Sequence, residues 1–203
     1  MAKPMPAPAV LRATVKLGAL PPDALVSRTG EARWECRGLA HLAWVSKSPE
    51  GALTWHVNVG DAKFGPTLEK YGSMSVPVRA AQNSIAWPAE ISDELESFLR
   101  NGVGAASEFV SDRADLCFIL SSDGDVVRGG LHAWLPVANY PARLVQALIL
   151  AQDLESDEMQ RLIREKLASG PIRLSNGRSL DIGKSAQGWA SKYSDALGVR
   201  IVI

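Results

Sequence analysis

The chain has 203 residues, 46% hydrophobic and 22% charged, and its 22 basic residues balance 22 acidic ones. That length and composition suit one globular domain, or one with a small appendage, and exclude a wholly disordered chain. Zero net charge removes any bulk electrostatic pull toward nucleic acid or an anionic membrane, and no run of like charge marks a local one.

Residues 1–8 carry Pro4, Pro6 and Pro8 and no apolar period, so they read as a flexible arm rather than a signal peptide. Val10, Leu11, Thr14 and Val15 recur at helical spacing. They predict a helix over 9–17 ended by Gly18 and Pro21-Pro22, although the alternation from Ala13 to Leu17 also fits a strand. Pro22 can open a single helical turn to Val26. Three strands are then predicted, over 31–37, 39–46 and 52–59, the last two joined by the turn Ser48-Pro49-Glu50-Gly51. In the third, Leu53, Trp55, Val57 and Val59 share one face and Thr54, His56 and Asn58 the other. A loop over 60–72 precedes a fourth strand, Ser73 to Arg79, which Pro77 assigns to a sheet edge.

Ser92 or Asp93 caps a helix with Ile91, Leu95, Phe98 and Leu99 on one face, and Gly102 and Gly104 break it before a short continuation over 105–111. The run 115–120 is apolar on both faces and is predicted as a central strand. Ser122-Asp123-Gly124-Asp125 turns it into a strand over 126–135, with Leu131, Ala133 and Leu135 facing one way and His132 and Trp134 the other. Gly129-Gly130 marks a bulge or a close backbone approach there. Pro141 opens a helix to Asp153 that is apolar nearly all round and therefore buried. Ser156 caps another, with Met159, Leu162, Ile163 and Leu167 inward, and Asn176-Gly177 turns a hairpin over 172–182. A helix over 185–197 and a strand over 199–203 complete the chain. The fold class is α+β: a twisted, mostly antiparallel sheet of hairpins packed against helices. A core domain over 9–153 carries a helix-hairpin-helix-strand extension over 154–203.

Motifs that imitate chemistry reduce to local structure. Gly183-Lys184-Ser185 resembles a phosphate loop, but position 178, where the loop needs its first glycine, is Arg. Gly102-Val103-Gly104 follows a helix, whereas a dinucleotide fingerprint follows a strand. Asp123 and Asp125 lack the remaining oxygen ligands of a calcium loop. His41, His56 and His132 have no metal-ligand spacing, so neither metal nor cofactor is expected.

Two lone cysteines, Cys36 and Cys117, suit a reducing cytoplasm, and no apolar run approaches the roughly 18 residues of a membrane-spanning helix. Cys117, between Leu116 and Phe118, reads as an inert core thiol. Cys36 lies near His41 across Gly38, which admits a small hydrolase or transferase with Cys36 as nucleophile and His41 as base. Trp34, Trp44 and Trp55 recur on consecutive strands and would form an aromatic ladder, either as core or as a face that receives a partner. Trp44, Trp55, His132 and Trp134 are the candidate partner contacts.

The segment Gly38 to Val45 followed by Leu53 to Gly60, and the segment Leu116 to Leu120 followed by Gly130 to Pro136 and an apolar helix, resemble the two hairpins and last helix of the class I type III secretion chaperones. That resemblance implies a non-enzymatic homodimer that holds a partly unfolded segment of another protein along apolar grooves. The stretch 154–203 lies outside it. The leading expectation is a cytoplasmic chaperone, adaptor or inhibitor that binds another protein, with strand addition at the edge from Ser73 to Arg79.

Overall fold

The computed structural model describes residues 3–72, 74–81 and 83–203. The fold is α+β. One eight-stranded sheet runs in the order β1-β2-β3-β4-β5-β8-β7. Its strands are β1 (Leu25–Val26), β2 (Glu31–Cys36), β3 (Leu39–Lys47), β4 (Ala52–Asp61), β5 (Ser75–Ala80), β7 (Val126–Arg128) and β8 (Leu131–Ala133), with β6 (Ser84–Ala86) paired to β4. The chain divides into two compact units. One holds the described residues of 1–59, 77–110 and 127–133, the other those of 60–76, 111–126 and 134–203.

In the first unit, helix α1 (Ala7–Lys16) buries Val10, Leu11, Ala13 and Thr14 and packs on β1, β2 and β3. The arm ahead of it is held at Met5, whose N–H donates to Pro88 O (2.8 Å) and whose carbonyl accepts from Trp87 Nε1 (2.7 Å). The helical turn expected from Pro22 to Val26 is absent: Leu25 and Val26 pair with Arg33 and Ala32 as β1, because an open ladder edge offers more hydrogen bonds than one isolated turn. Strands β3 and β4 follow the period-2 pattern, their buried residues alternating along each strand.

Strand β5 corrects the edge assignment. It lies inside the sheet, between β4 and β8, and Ser73, the expected start, falls outside the described residues. Pro77 is tolerated because the β8 ladder begins one residue later, at Val78 opposite Ala133. The glycines at 102 and 104 do not break their helix either. Ser92 caps α3 (Asp93–Phe98) by accepting from the Leu95 N–H (3.2 Å), and the chain continues as a π-helical stretch, Leu99–Gly104, into α4 (Ala105–Ser107). A Cβ on Gly102 would come 2.4 Å from Trp55 Nε1, so the wide helix uses a glycine to lie directly against that indole. Ile91, expected inward, is exposed ahead of the helix.

The expected bulge at Gly129-Gly130 is instead a two-residue hairpin turn between β7 and β8, with φ of 55° and 79° at the two glycines.

In the second unit, the run expected as a central strand is helix α5 (Arg113–Leu120). Asp112 caps it by accepting from the Asp115 N–H (2.8 Å), and a short apolar run does not distinguish buried strand from buried helix. Helix α6 (Tyr140–Asp153) is buried from Tyr140 through Ala151, as its all-round apolar sequence predicts. It packs against α5, α7 (Asp157–Leu167) and α8 (Ile182–Leu197). Ser156 caps α7 through the Met159 N–H, and Ile163 and Leu167 are buried, but Leu162 is exposed. The Asn176-Gly177 hairpin forms between β9 (Ile172–Arg173) and β10 (Ser179–Leu180). No strand forms over 199–203: Ile201 is buried with its N–H on Ser194 Oγ (3.1 Å), and those residues pair with no ladder.

The loop expected over 60–72 contains the short helix α2 (Gly65–Leu68) and a 3-10 turn, Glu69–Tyr71.

Candidate functional site

The register of β2 on β3 sets Glu31 opposite Trp44, Trp34 opposite His41 and Cys36 opposite Leu39. Because side chains alternate, Trp34, His41, Ala43, Val45, Leu53, Trp55 and Val57 go to the buried face. Trp44, Ser46, Thr54, His56 and Asn58 go to the other, half-buried. The three tryptophans therefore form no ladder, since Trp44 is on the opposite face from Trp34 and Trp55. Each of two tryptophans stacks on a histidine of the next strand instead. Trp34 stacks on His41 (ring centroids 4.8 Å apart, 13° between planes), and Trp44 on His56 (4.8 Å, 11°).

On the half-buried face these contacts continue as a row. Glu31 on β2 stands opposite Trp44 on β3, and Trp44 stacks on His56 of β4. Arg79 on β5 is near enough for its charge to act on His56, and Arg79 stands opposite His132 on β8. His56 Nε2 and Ser46 Oγ share a hydrogen bond of 2.8 Å, which fixes the imidazole under the indole. Burial, and secondly the Arg79 cation, lower the His56 pKa and keep the ring neutral near pH 7. The result is a fixed aromatic plate beside three basic side chains on consecutive strands.

The other predicted residues fall differently. Trp55 is 1% exposed and belongs to the core, so it cannot touch a partner. Trp134 is 43% exposed and lies one residue beyond the end of β8. Cys36 is exposed, whereas His41 is 6% exposed beneath Trp34. Burial lowers the His41 pKa, against the raising effect of hydrogen bonds with the Ser107 and Leu39 backbone. The imidazole is thus held by its stack on the Trp34 indole, and its buried Nδ1 has no hydrogen-bond partner among the described residues. Cys117 is buried in α5, not in a strand; burial pushes its thiol up to about 12, and Sγ donates to Ala147 O (3.2 Å), so it is unreactive.

A charged centre in the second unit escaped sequence reasoning. Asp61, fully buried at the end of β4, accepts from the Phe64 N–H through Oδ1 (2.7 Å) and from Arg113 Nε through Oδ2 (2.6 Å). Arg113 Nη1 donates to Asp153 Oδ2 (2.6 Å), and Lys63 donates to Asp153 Oδ1. Burial alone would raise the Asp153 carboxyl, but Lys63 and Arg113 hold it below its ordinary value. The guanidinium also lies over the Phe64 ring, 5.7 Å from its centroid. Every carboxylate oxygen here is taken by a cation or an amide, which makes the centre a structural clamp. No local spacing could reveal it, because Asp61 and Arg113 are 52 residues apart. Among the described residues no group of three or more His, Cys, Asp and Glu side chains could hold a metal ion.

Buried His41 and half-buried His56 make stability pH-dependent. Both folded pKa values lie below the ordinary value of about 6.5, so the unfolded chain takes up protons first as pH falls. Stability is therefore full above about pH 6.5 and decreases below it, down to the folded pKa values. Thermal melts from neutral to mildly acidic pH should show a falling midpoint, and His41→Gln/His56→Gln should flatten that slope; an unchanged slope in the double variant would refute the assignment.

Comparison with protein-family models, curated proteins and solved structures finds no match to the chain.

Proposed function

We propose that the protein is a non-enzymatic binding protein, of the chaperone, adaptor or inhibitor type, that holds another polypeptide on the half-buried face of its sheet. The observation that carries this reading is the row centred on Trp44. A tryptophan clamped by stacking, and flanked by hydrogen-bonding and basic side chains, has little rotamer entropy left to lose on binding and suits an interface anchor. The likeness of the Leu39–Gly60 region to class I type III secretion chaperones supports the same reading, with a homodimer in the cytoplasm as its working form. Strand addition is not part of it at β5, whose two ladder sides belong to β4 and β8.

The test is capture of partners from the native host by the wild-type protein and by Trp44→Ala, followed by mass spectrometry, with light scattering for stoichiometry. One dominant partner should be recovered at fixed stoichiometry and bind Trp44→Ala more weakly by about 2 kcal/mol or more, some thirty-fold in Kd. Equal recovery by both proteins would move the interface elsewhere. A clean monomer with no partner would overturn the reading.

A further inference from the structure

The conformation of the bound segment follows from the face it lies on, and so rests on the binding reading above. The half-buried positions of the two central strands are Ala40, Leu42, Trp44 and Ser46 on β3 and Thr54, His56 and Asn58 on β4. None of them is an acid, a lysine or an arginine, and burial lowers the His56 pKa. Charge begins on β2, where Glu31, Arg33 and Glu35 stand opposite Trp44, Leu42 and Ala40, and Arg33 bonds Glu31 (3.1 Å). An uncharged centre that holds a fixed tryptophan beside a charged rim is how protein interfaces are built. Two limits then act on the occupant. The ladder groups of β3 and β4 point within the sheet, toward β2, β5, β6 and each other. An extended segment laid on the face would therefore bury its own N–H and C=O groups without partners, whereas a helix satisfies its backbone internally.

We propose that the occupant of this face is an amphipathic helix of another polypeptide, whose uncharged apolar stripe lies along β3 and β4 against Trp44. The second limit is area. From Ala40 to Ser46 the uncharged stripe is about 20 Å long, and two strands make it about 10 Å wide. One α-helix of about 13 residues has those dimensions. The footprint, about 200 Å², is about a quarter of the ~800 Å² that each partner gives to a standard interface. A second copy laid face to face would have to bury the Glu31, Arg33 and Glu35 rim as well, at the cost of desolvating those charges. The recognised pattern is then apolar residues at helical spacing, with charged residues only on the far side of the helix.

Fluorescence anisotropy with three labelled Ala-, Glu- and Lys-based peptides of one composition and length tests this. The first sets its Leu residues on one helical face, the second disperses them around the helix, and the third repeats the first with a central Ala exchanged for Pro. The striped peptide should bind and gain helical circular dichroism, and the other two should bind about tenfold or more weakly. Trp44→Ala should weaken the striped peptide by about tenfold or more. Leu42→Glu should do the same by charging the stripe, and its carboxylate opposite Arg33 spares the fold. Glu35→Gln on the rim should cost about twofold or less; circular dichroism checks that each variant is folded. Equal binding of the three peptides, no binding of the striped one, or indifference to both Trp44→Ala and Leu42→Glu would each overturn the proposal. A dimer of the protein alone that Leu42→Glu dissociates, read by light scattering, would overturn it in favour of a second copy. If the striped peptide fails while captured partners still depend on Trp44, the helix assignment falls and the binding reading stands; if both fail, the binding reading falls too.

Discussion

Arg113→Met should destabilise the protein by about 3–5 kcal/mol, the range for removing one member of a buried ion pair. The loss comes less from the attraction forgone than from what remains. Asp61 is fully buried, and without Arg113 its remaining side-chain partner among the described residues is the Phe64 N–H. A carboxylate in that position must stay charged without a counter-ion or take up a proton, and both are costly. Asp153 is less exposed to this penalty because Lys63 still donates to it. Urea denaturation followed by circular dichroism measures the change. Two companion variants sharpen it. Arg113→Met/Asp61→Asn should recover a large part of the loss, since an amide oxygen can accept the Phe64 N–H without carrying charge. Lys63→Met should cost about 1 kcal/mol or less, because Lys63 is mostly exposed and solvent screens its pair. If Arg113→Met cost no more than Lys63→Met, the clamp would not contribute as argued.

Trp55→Ala should cost a comparable ~3–5 kcal/mol, by loss of transfer energy and creation of a cavity. Trp55 is among the largest fully buried side chains, on the same strand face as Leu53 and Val57. The π-helical stretch is laid against its indole at Gly102, and nothing at 102 can fill the gap, since that residue has no side chain. Trp55→Phe should retain a good part of the stability by keeping the ring volume nearest the strand. The contrast with Trp44 separates the two roles. Trp44→Ala, on the half-buried face, should change thermal stability far less than Trp55→Ala and partner binding far more. A Trp55→Ala protein with a near wild-type melting midpoint would show that the indole is not a core element. A Trp44→Ala protein that melts as early as Trp55→Ala would show that the outer row is structural.

How much was legible varied with how local the signal was. The hairpin from Leu39 to Gly60 was readable because two runs of alternating burial flank a Ser-Pro-Glu-Gly turn. Helices α6 and α7 were readable from Pro141 at the first turn, from Ser156 as a cap and from their apolar patterns. The run 115–120 was misjudged because apolar residues on every side satisfy a buried strand and a buried helix equally; the Asp112 cap, accepting from Asp115, decides for the helix. The run 199–203 has strand-forming residues, but a strand needs a partner edge, and Ile201 is bound to Ser194 instead. Pro77 argued for an edge by a sound rule, which fails here only because β8 is short enough to begin pairing past it.

The candidate site shows the same division. Sequence periodicity alone determined that Trp55 and His56 point to opposite faces of β4, because alternation is a property of every extended strand. It also determined the hairpin that carries Trp44, and the helices whose caps and apolar faces are contiguous in the chain. The tertiary structure decided the rest. The stacking of Trp44 on His56 depends on the register between strands, and the neighbourhood of Arg79 and His132 on β8 pairing with β5 across a long stretch of intervening chain. The Asp61–Arg113–Asp153 clamp joins residues whose separation in sequence leaves no periodic trace. Local pattern can assign a side chain to a face, but only the folded arrangement of strands and helices brings distant charges into contact.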